Sequence, residues 1–259
     1  MTSTNEIDPA QDLIVPSGSS DFDWTVVIDP LVATALKALL TDWRMKKRWN
    51  DFPAAHRRLH IHILQTYLKT GDAPAAADLD AELGPGASAA LVDLADRDLV
   101  VLSGGEIIGA YPFTSRACGH SVVIKPREIA TMCAIDAFGV GAMVDSDAQV
   151  HSRCPECDTA IDIRIGGNGL SIDTVRPEGA VVWAGVDAVE GCAADTQCRS
   201  MLLFCSDAHL QAWRAKTAPG GEGFRLTPGQ ALQAGAAIFR PFMAGLKEQE
   251  SRARRLPKT

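Results

Sequence analysis

The chain has no excess of positive charge, no cysteine before Cys118 and no second C-x-x-C pair, and each absence removes a class of function. A formal net charge of -7 excludes general affinity for nucleic acid or an anionic membrane, because both need a concentrated positive surface. No stretch is long and apolar enough to span a bilayer. The first residues, Met1-Thr-Ser-Thr-Asn-Glu-Ile-Asp8, lack the basic segment and apolar run of a secretory signal, so a cytoplasmic location is expected. Seven cysteines, an odd number, fit reduced thiols better than a disulfide framework. What remains is a chain of 259 residues whose hydrophobic fraction of 46% permits a large core, and thiol chemistry or metal binding becomes its leading question.

Residues 1–20 are polar, without hydrophobic periodicity, and read as a disordered tail, as does the basic end, 251–259. A helix is expected over 30–49, with Arg44, Lys46, Lys47 and Arg48 as a solvated basic end. Helices over 56–69, 75–83 and 87–96 then precede two apolar runs, 99–102 and 107–111, joined by the hairpin signal Ser103-Gly104-Gly105. Three helices and a hairpin resemble a winged helix-turn-helix, so DNA binding has to be weighed. The segment 87–98 carries one Arg against three Asp and would meet phosphates with the wrong charge, which favours a structural or lid role. Short strands are expected at 120–124, 149–153, 160–165, 170–172, 181–186 and 200–205. Ser206 is placed to cap a helix over 207–216, and Thr227-Pro228 to open a last one reaching about residue 248. The fold class is therefore α+β: a winged-helix-like region over 21–113, then a mixed domain of antiparallel strands and helices over 114–250.

The stretch Arg127 to Gly139 reads as one helix starting after Pro126, with Ile129, Met132, Ile135, Ala137 and Phe138 as its buried face. On it Cys133 and Asp136 are three residues apart and so share one small space. A buried structural cysteine beside an aspartate is the plainer reading of those two residues alone. Two larger constellations compete. Cys154-Pro-Glu-Cys157 could form a four-thiolate zinc site with Cys192 and Cys198, or with Cys198 and Cys205. Neither completion supplies a second knuckle, so no structural zinc and no resident cofactor are expected, and no thioredoxin-like context supports a redox pair. The other constellation joins Cys133 and Asp136 to Cys198, ahead of the apolar run 200–205. Two thiolates with a carboxylate make a soft-metal site that also holds a proton donor.

Met132-Cys-Ala-Ile-Asp-Ala-Phe138, the strand Val150-His-Ser-Arg-Cys154, and Cys198 followed by an apolar strand, Ser206 and Trp213 resemble the organomercurial (alkylmercury) lyase family. The similarity extends from about His56 to Phe242. The resemblance implies an enzyme of mercury detoxification, in which Cys133 and Cys198 bind the substrate's mercury and Asp136 manages the proton. The carbon–mercury bond is cleaved to a hydrocarbon and mercuric ion. Implied partners are a small organomercurial substrate, small external thiols that release the product, and a mercuric reductase as its acceptor, with no nucleic acid or membrane. Arg199 stands where members can carry a second cysteine, Cys154 matches a family cysteine regarded as structural, and Cys157 is additional. The alternatives are a metal-responsive winged-helix regulator or a noncatalytic metal-sequestering relative; Asp136 argues for the enzyme, since a pure thiolate trap has no need of it.

Overall fold

The computed structural model describes residues 22–40, 48, 51–186 and 191–243; both expected tails, and the expected helical residues 41–47, 49 and 244–248, lie outside them. In chain order the helices are α1 (Pro30–Leu40), α2 (Ala54–Thr70), α3 (Leu79–Leu83), α4 (Ala87–Asp96), α5 (Ala134–Val144), α6 (Asp207–Thr217) and α7 (Pro228–Phe239). The strands are β1 (Val100–Ser103), β2 (Glu106–Ala110), β3 (Phe113–Thr114), β4 (His120–Ile124), β5 (Arg127–Ala130), β6 (Ala148–Arg153), β7 (Ala160–Gly166), β8 (Ser171–Arg176), β9 (Val181–Gly185), β10 (Met201–Phe204) and β11 (Gly223–Leu226). They form three antiparallel sheets, ordered β1-β2-β3, β10-β9-β11 and β5-β4-β6-β7-β8. The α+β class follows from this arrangement, and no helix among the described residues is long and apolar enough to cross a membrane.

Local chemistry accounts for many of the boundaries. α2 ends at Gly71, whose left-handed backbone lets its N–H close on the Tyr67 carbonyl at 2.8 Å. The β1–β2 turn falls on Gly104 and Gly105, both with positive φ, as a tight hairpin requires. α7 opens with a capping box in which Thr227 and Gln230 satisfy each other's backbone N–H groups, and Pro228 takes the first helical position. The helix passes into a 3₁₀ turn at Arg240–Met243, where Pro241 cannot donate to the helical ladder.

The stretch that follows Pro126 differs from its expected form. Residues 127–130 are strand β5, paired with β4 through Ser121↔Ala130 to Ile124↔Arg127, and the helix begins only at Ala134. Pro126 sits in the β4–β5 hairpin turn instead of a helical first turn. The spacing of Ile129 and Met132 suits a helix, yet Ile129 is buried from strand β5 and Met132 from the bend that follows it, and the edge of β4 supplies the hydrogen bonds that make 127–130 a strand.

α5 is buried from Ala134 to Met143, apolar on every side but for Asp136, and runs through the middle of the molecule, flanked by the five-stranded sheet and α7. One buried cluster runs from Phe22 through the α2–α4 region to Met243. α5 and α7 touch backbone to backbone at two glycines: a Cβ on Gly235 would lie 2.6 Å from Gly139 N and Ile135 O. Gly235→Ala gains about 1 kcal/mol of helix propensity. The overlap is with backbone, however, which no rotamer change relieves, and overpacking costs about 1–3 kcal/mol. The net cost is about 1 kcal/mol, so thermal unfolding of Gly235→Ala is expected about 2–4 °C below the parent; a higher midpoint would contradict this packing.

Candidate active site

Two elements meet at the trio: the start of α5, with Cys133 at its cap and Asp136 in its first turn, and a 3₁₀ turn, Gln197–Ser200, that carries Cys198 and leads into β10. Cys133 is not within the helix as expected; it is the N-cap, with extended backbone, and its sulfur accepts the Asp136 N–H at 3.4 Å. A thiol here takes the place of the usual serine oxygen. The three-residue spacing still brings the two side chains together, now through a cap geometry. Cys198 completes the set, all three residues are buried, and their sulfur and carboxylate atoms lie within 4.8 Å of one another.

The electrostatics oppose one another at Cys133. A helix N-terminus favours a thiolate, and the Asp136 N–H lowers the thiol's affinity for its proton. Burial is the larger effect, followed by the contact with Cys198 and the charge of Asp136, so the thiol is held well above its ordinary range. At Cys198 the contact with Cys133 pulls downward, yet burial and Asp136 leave it raised overall. Both thiols therefore rest protonated. Asp136 is pushed up to about 7 by burial, against the downward pull of Cys133 and the Arg48 charge. Its Oδ2 is buried and has no hydrogen-bond partner. A carboxyl group poised near neutrality beside two protonated thiols suits exchange of a proton in either direction.

That carboxyl also taxes the fold, and the sign can be worked out. Because the folded-state value is raised from 3.8 to about 7, the folded protein keeps a proton that the unfolded chain has already lost, and stability falls as pH rises across that window. Asp136→Asn removes the penalty. Denaturant unfolding is expected to show the variant more stable than the parent at pH 8, by up to about 4 kcal/mol, and little different at pH 4. An equal difference at both pH values would refute the buried-carboxyl account.

Several residues that sequence reasoning did not assign to the site surround the trio. Arg48, expected on a solvated basic helix end, is instead buried; its Nη2 donates to Asp98 Oδ2 at 2.8 Å and its guanidinium lies 4.6 Å from the centre of the Tyr111 ring. Arg44, Lys46 and Lys47 fall outside the described residues. Asp98 also accepts the Ala193 N–H at 3.3 Å, and Tyr111 Oη contacts Cys192 Sγ at 3.8 Å, so this network secures the segment leading to Cys198. Met201 adds a third sulfur, its thioether 3.7 Å from the Cys133 thiol. Half-buried Cys118 is raised by burial and then by the nearby Cys198 charge. A lone arginine, aspartate or methionine carries no motif, and only the fold brings these together.

The cysteines do not assemble into either four-thiolate set considered for zinc. Cys198 belongs with Cys133, Cys192 lies against Tyr111, and Cys154, Cys157 and Cys205 gather elsewhere with His209. The fold does bring the soft-metal trio together, as a group separate from the one around His209.

Comparison with known proteins leads to the same place. No curated protein matches the chain. Among solved structures, the chain is similar to one described as the mercury-bound form of MerB2, with 20% identity and a TM-score of 0.66 over 82% of this chain and 100% of that one. At that identity the likeness establishes a shared fold. Residues 113–240 match the family model MerB, alkylmercury lyase, a span that contains Cys133, Asp136 and Cys198. Over residues 113–240, therefore, the chain carries a domain of the alkylmercury lyase family.

Proposed function

We propose that this chain cleaves the carbon–mercury bond of organomercurials by protonolysis, with Cys133 and Cys198 as the ligands of the substrate's mercury and Asp136 as the carrier of the proton. The observation that carries the reading is a buried carboxyl group, near neutral in its proton affinity, within 4.8 Å of two thiols. Mercury is soft and prefers thiolate. The substrate enters as an organomercury–thiol adduct. One cysteine displaces the external thiolate, which leaves with that cysteine's proton. Asp136 takes the proton of the other cysteine, whose sulfur then binds mercury.

Each thiolate pushes electron density through the metal onto the carbon. The carbon–mercury electron pair becomes a carbon–hydrogen bond to the proton that Asp136 returns. The products are the hydrocarbon and mercuric ion on two sulfurs, and both cysteine protons are accounted for. The Arg48 charge favours the ionised forms of Asp136 and Cys198, and so helps the moment of deprotonation. Two external thiols then reprotonate the cysteines and remove the ion, which a mercuric reductase is suited to accept. Incubating purified protein with an organomercurial and excess small thiol should release the hydrocarbon catalytically; stoichiometric mercury uptake with no hydrocarbon would favour a sequestering protein.

A further inference from the structure

Four ligand-type side chains outside the trio converge where the β6–β7 turn meets the end of β10 and the first turn of α6. Cys154 and Cys157 come from the turn, Cys205 follows β10, and His209 lies on α6, with their ligating atoms all within 4.8 Å of one another. Cys157 Sγ and Cys205 Sγ are 3.6 Å apart, and His209 Nδ1 is 3.7 Å from Cys154 Sγ and 2.9 Å from Cys205 Sγ. A tetrahedral ion with bonds of about 2.3 Å to sulfur and about 2.0 Å to nitrogen would place its ligand atoms roughly 3.5–3.8 Å apart. The geometry points to a resident structural metal site in which Cys154, Cys157, Cys205 and His209 hold one tetrahedral ion of the zinc(II) type.

Hydrophobic packing does not account for this cluster, since Cys157 is exposed and His209 only half-buried. The turn is shaped as a metal knuckle: the Asp158 N–H bonds the Cys154 carbonyl at 2.8 Å and Asp158 takes a positive φ, carrying Cys157 back beside Cys154. An Arg153–Asp158 pair at 2.9 Å and a Lys216–Glu156 pair brace the turn and its contact with α6. Binding displaces the protons of the three thiols to solvent and leaves neutral imidazole as the fourth ligand. The set is a C-x-x-C pair completed by C-x-x-x-H. A search for a second C-x-x-C misses it, which is why no structural zinc is expected from sequence.

The site has a structural consequence. Cys198 and Cys205 flank β10 at opposite ends, so an ion at Cys205 would pin that strand to the five-stranded sheet while Cys198 stays available for chemistry. The test is metal analysis of the full chain purified without added metal. About one zinc per chain is expected in the parent and in a Cys133→Ala/Cys198→Ala double variant, falling to under about a tenth in Cys157→Ser and in His209→Ala. Cobalt-loaded parent should show tetrahedral visible bands that Cys157→Ser lacks. Should the variants fail to fold, stripping the parent with a chelator should lower its unfolding midpoint by at least about 5 °C, reversed by added zinc. A parent that takes up neither zinc nor cobalt, zinc that is lost only with the Cys133/Cys198 pair, or a Cys157–Cys205 disulfide in protein kept reduced would overturn the proposal.

Discussion

Asp136→Ala should release hydrocarbon about 10²–10⁴ times more slowly than the parent and still retain mercury after desalting, since removal of a positioned general acid typically costs that factor. The expectation rests on separated roles. Affinity for mercuric ion resides in two soft sulfurs, to which a carboxylate oxygen adds little. Once both sulfurs hold mercury, Asp136 is the member of the trio left to carry the proton to carbon, and it is kept near neutrality by its burial, against the pull of Cys133 and Arg48. Asp136→Asn, which preserves shape, should lose turnover equally, separating proton transfer from packing. Either variant cleaving near the parent rate would remove Asp136 from the reaction and bring the metal-sequestering reading forward.

The second large effect concerns the sulfurs. Cys133→Ala and Cys198→Ala should each lose tight retention of mercuric ion, because a single thiolate cannot form the two-sulfur product complex and external thiols outcompete it. Each should also lose hydrocarbon release by at least about the factor expected for Asp136→Ala. The losses should not multiply, since residues acting as a unit are non-additive and the double variant has little further to fall. Met201 offers an internal comparison: its thioether is 3.7 Å from Cys133 but carries no proton to exchange. A fully active Cys198→Ala would show that Cys133 works with some other ligand.

How much of this was legible in the sequence depends on how local each signal was. The Ser103-Gly104-Gly105 turn, the Ser206 cap and the Thr227-Pro228 helix start are decided by neighbouring backbone, and all three stand as expected. The region 127–132 was misread because Pro126 and the spacing of Ile129 and Met132 imitate a helix, whereas pairing with β4 is a long-range event that periodicity does not register. Cys133 as an N-cap was invisible for a chemical reason: cysteine is not among the usual capping residues, although its sulfur accepts the same N–H. The trio itself came from residue type and family resemblance. Arg48 was hidden because its partner Asp98 is fifty residues away. His209 was hidden because, beyond Cys205 four residues earlier, its sulfur partners Cys154 and Cys157 lie about fifty residues away at the end of a strand of another sheet.

The most direct test of the account is a single turnover in deuterium oxide, with stoichiometric organomercurial and no external thiol beyond the substrate's own ligand. One hydrocarbon per chain is expected, carrying one deuterium at the former mercury-bound carbon, with one mercuric ion left on the protein that Cys133→Ala/Cys198→Ala does not retain. Mercury bound with the carbon–mercury bond intact, or hydrocarbon release that persists in the double variant, would contradict protonolysis at these residues.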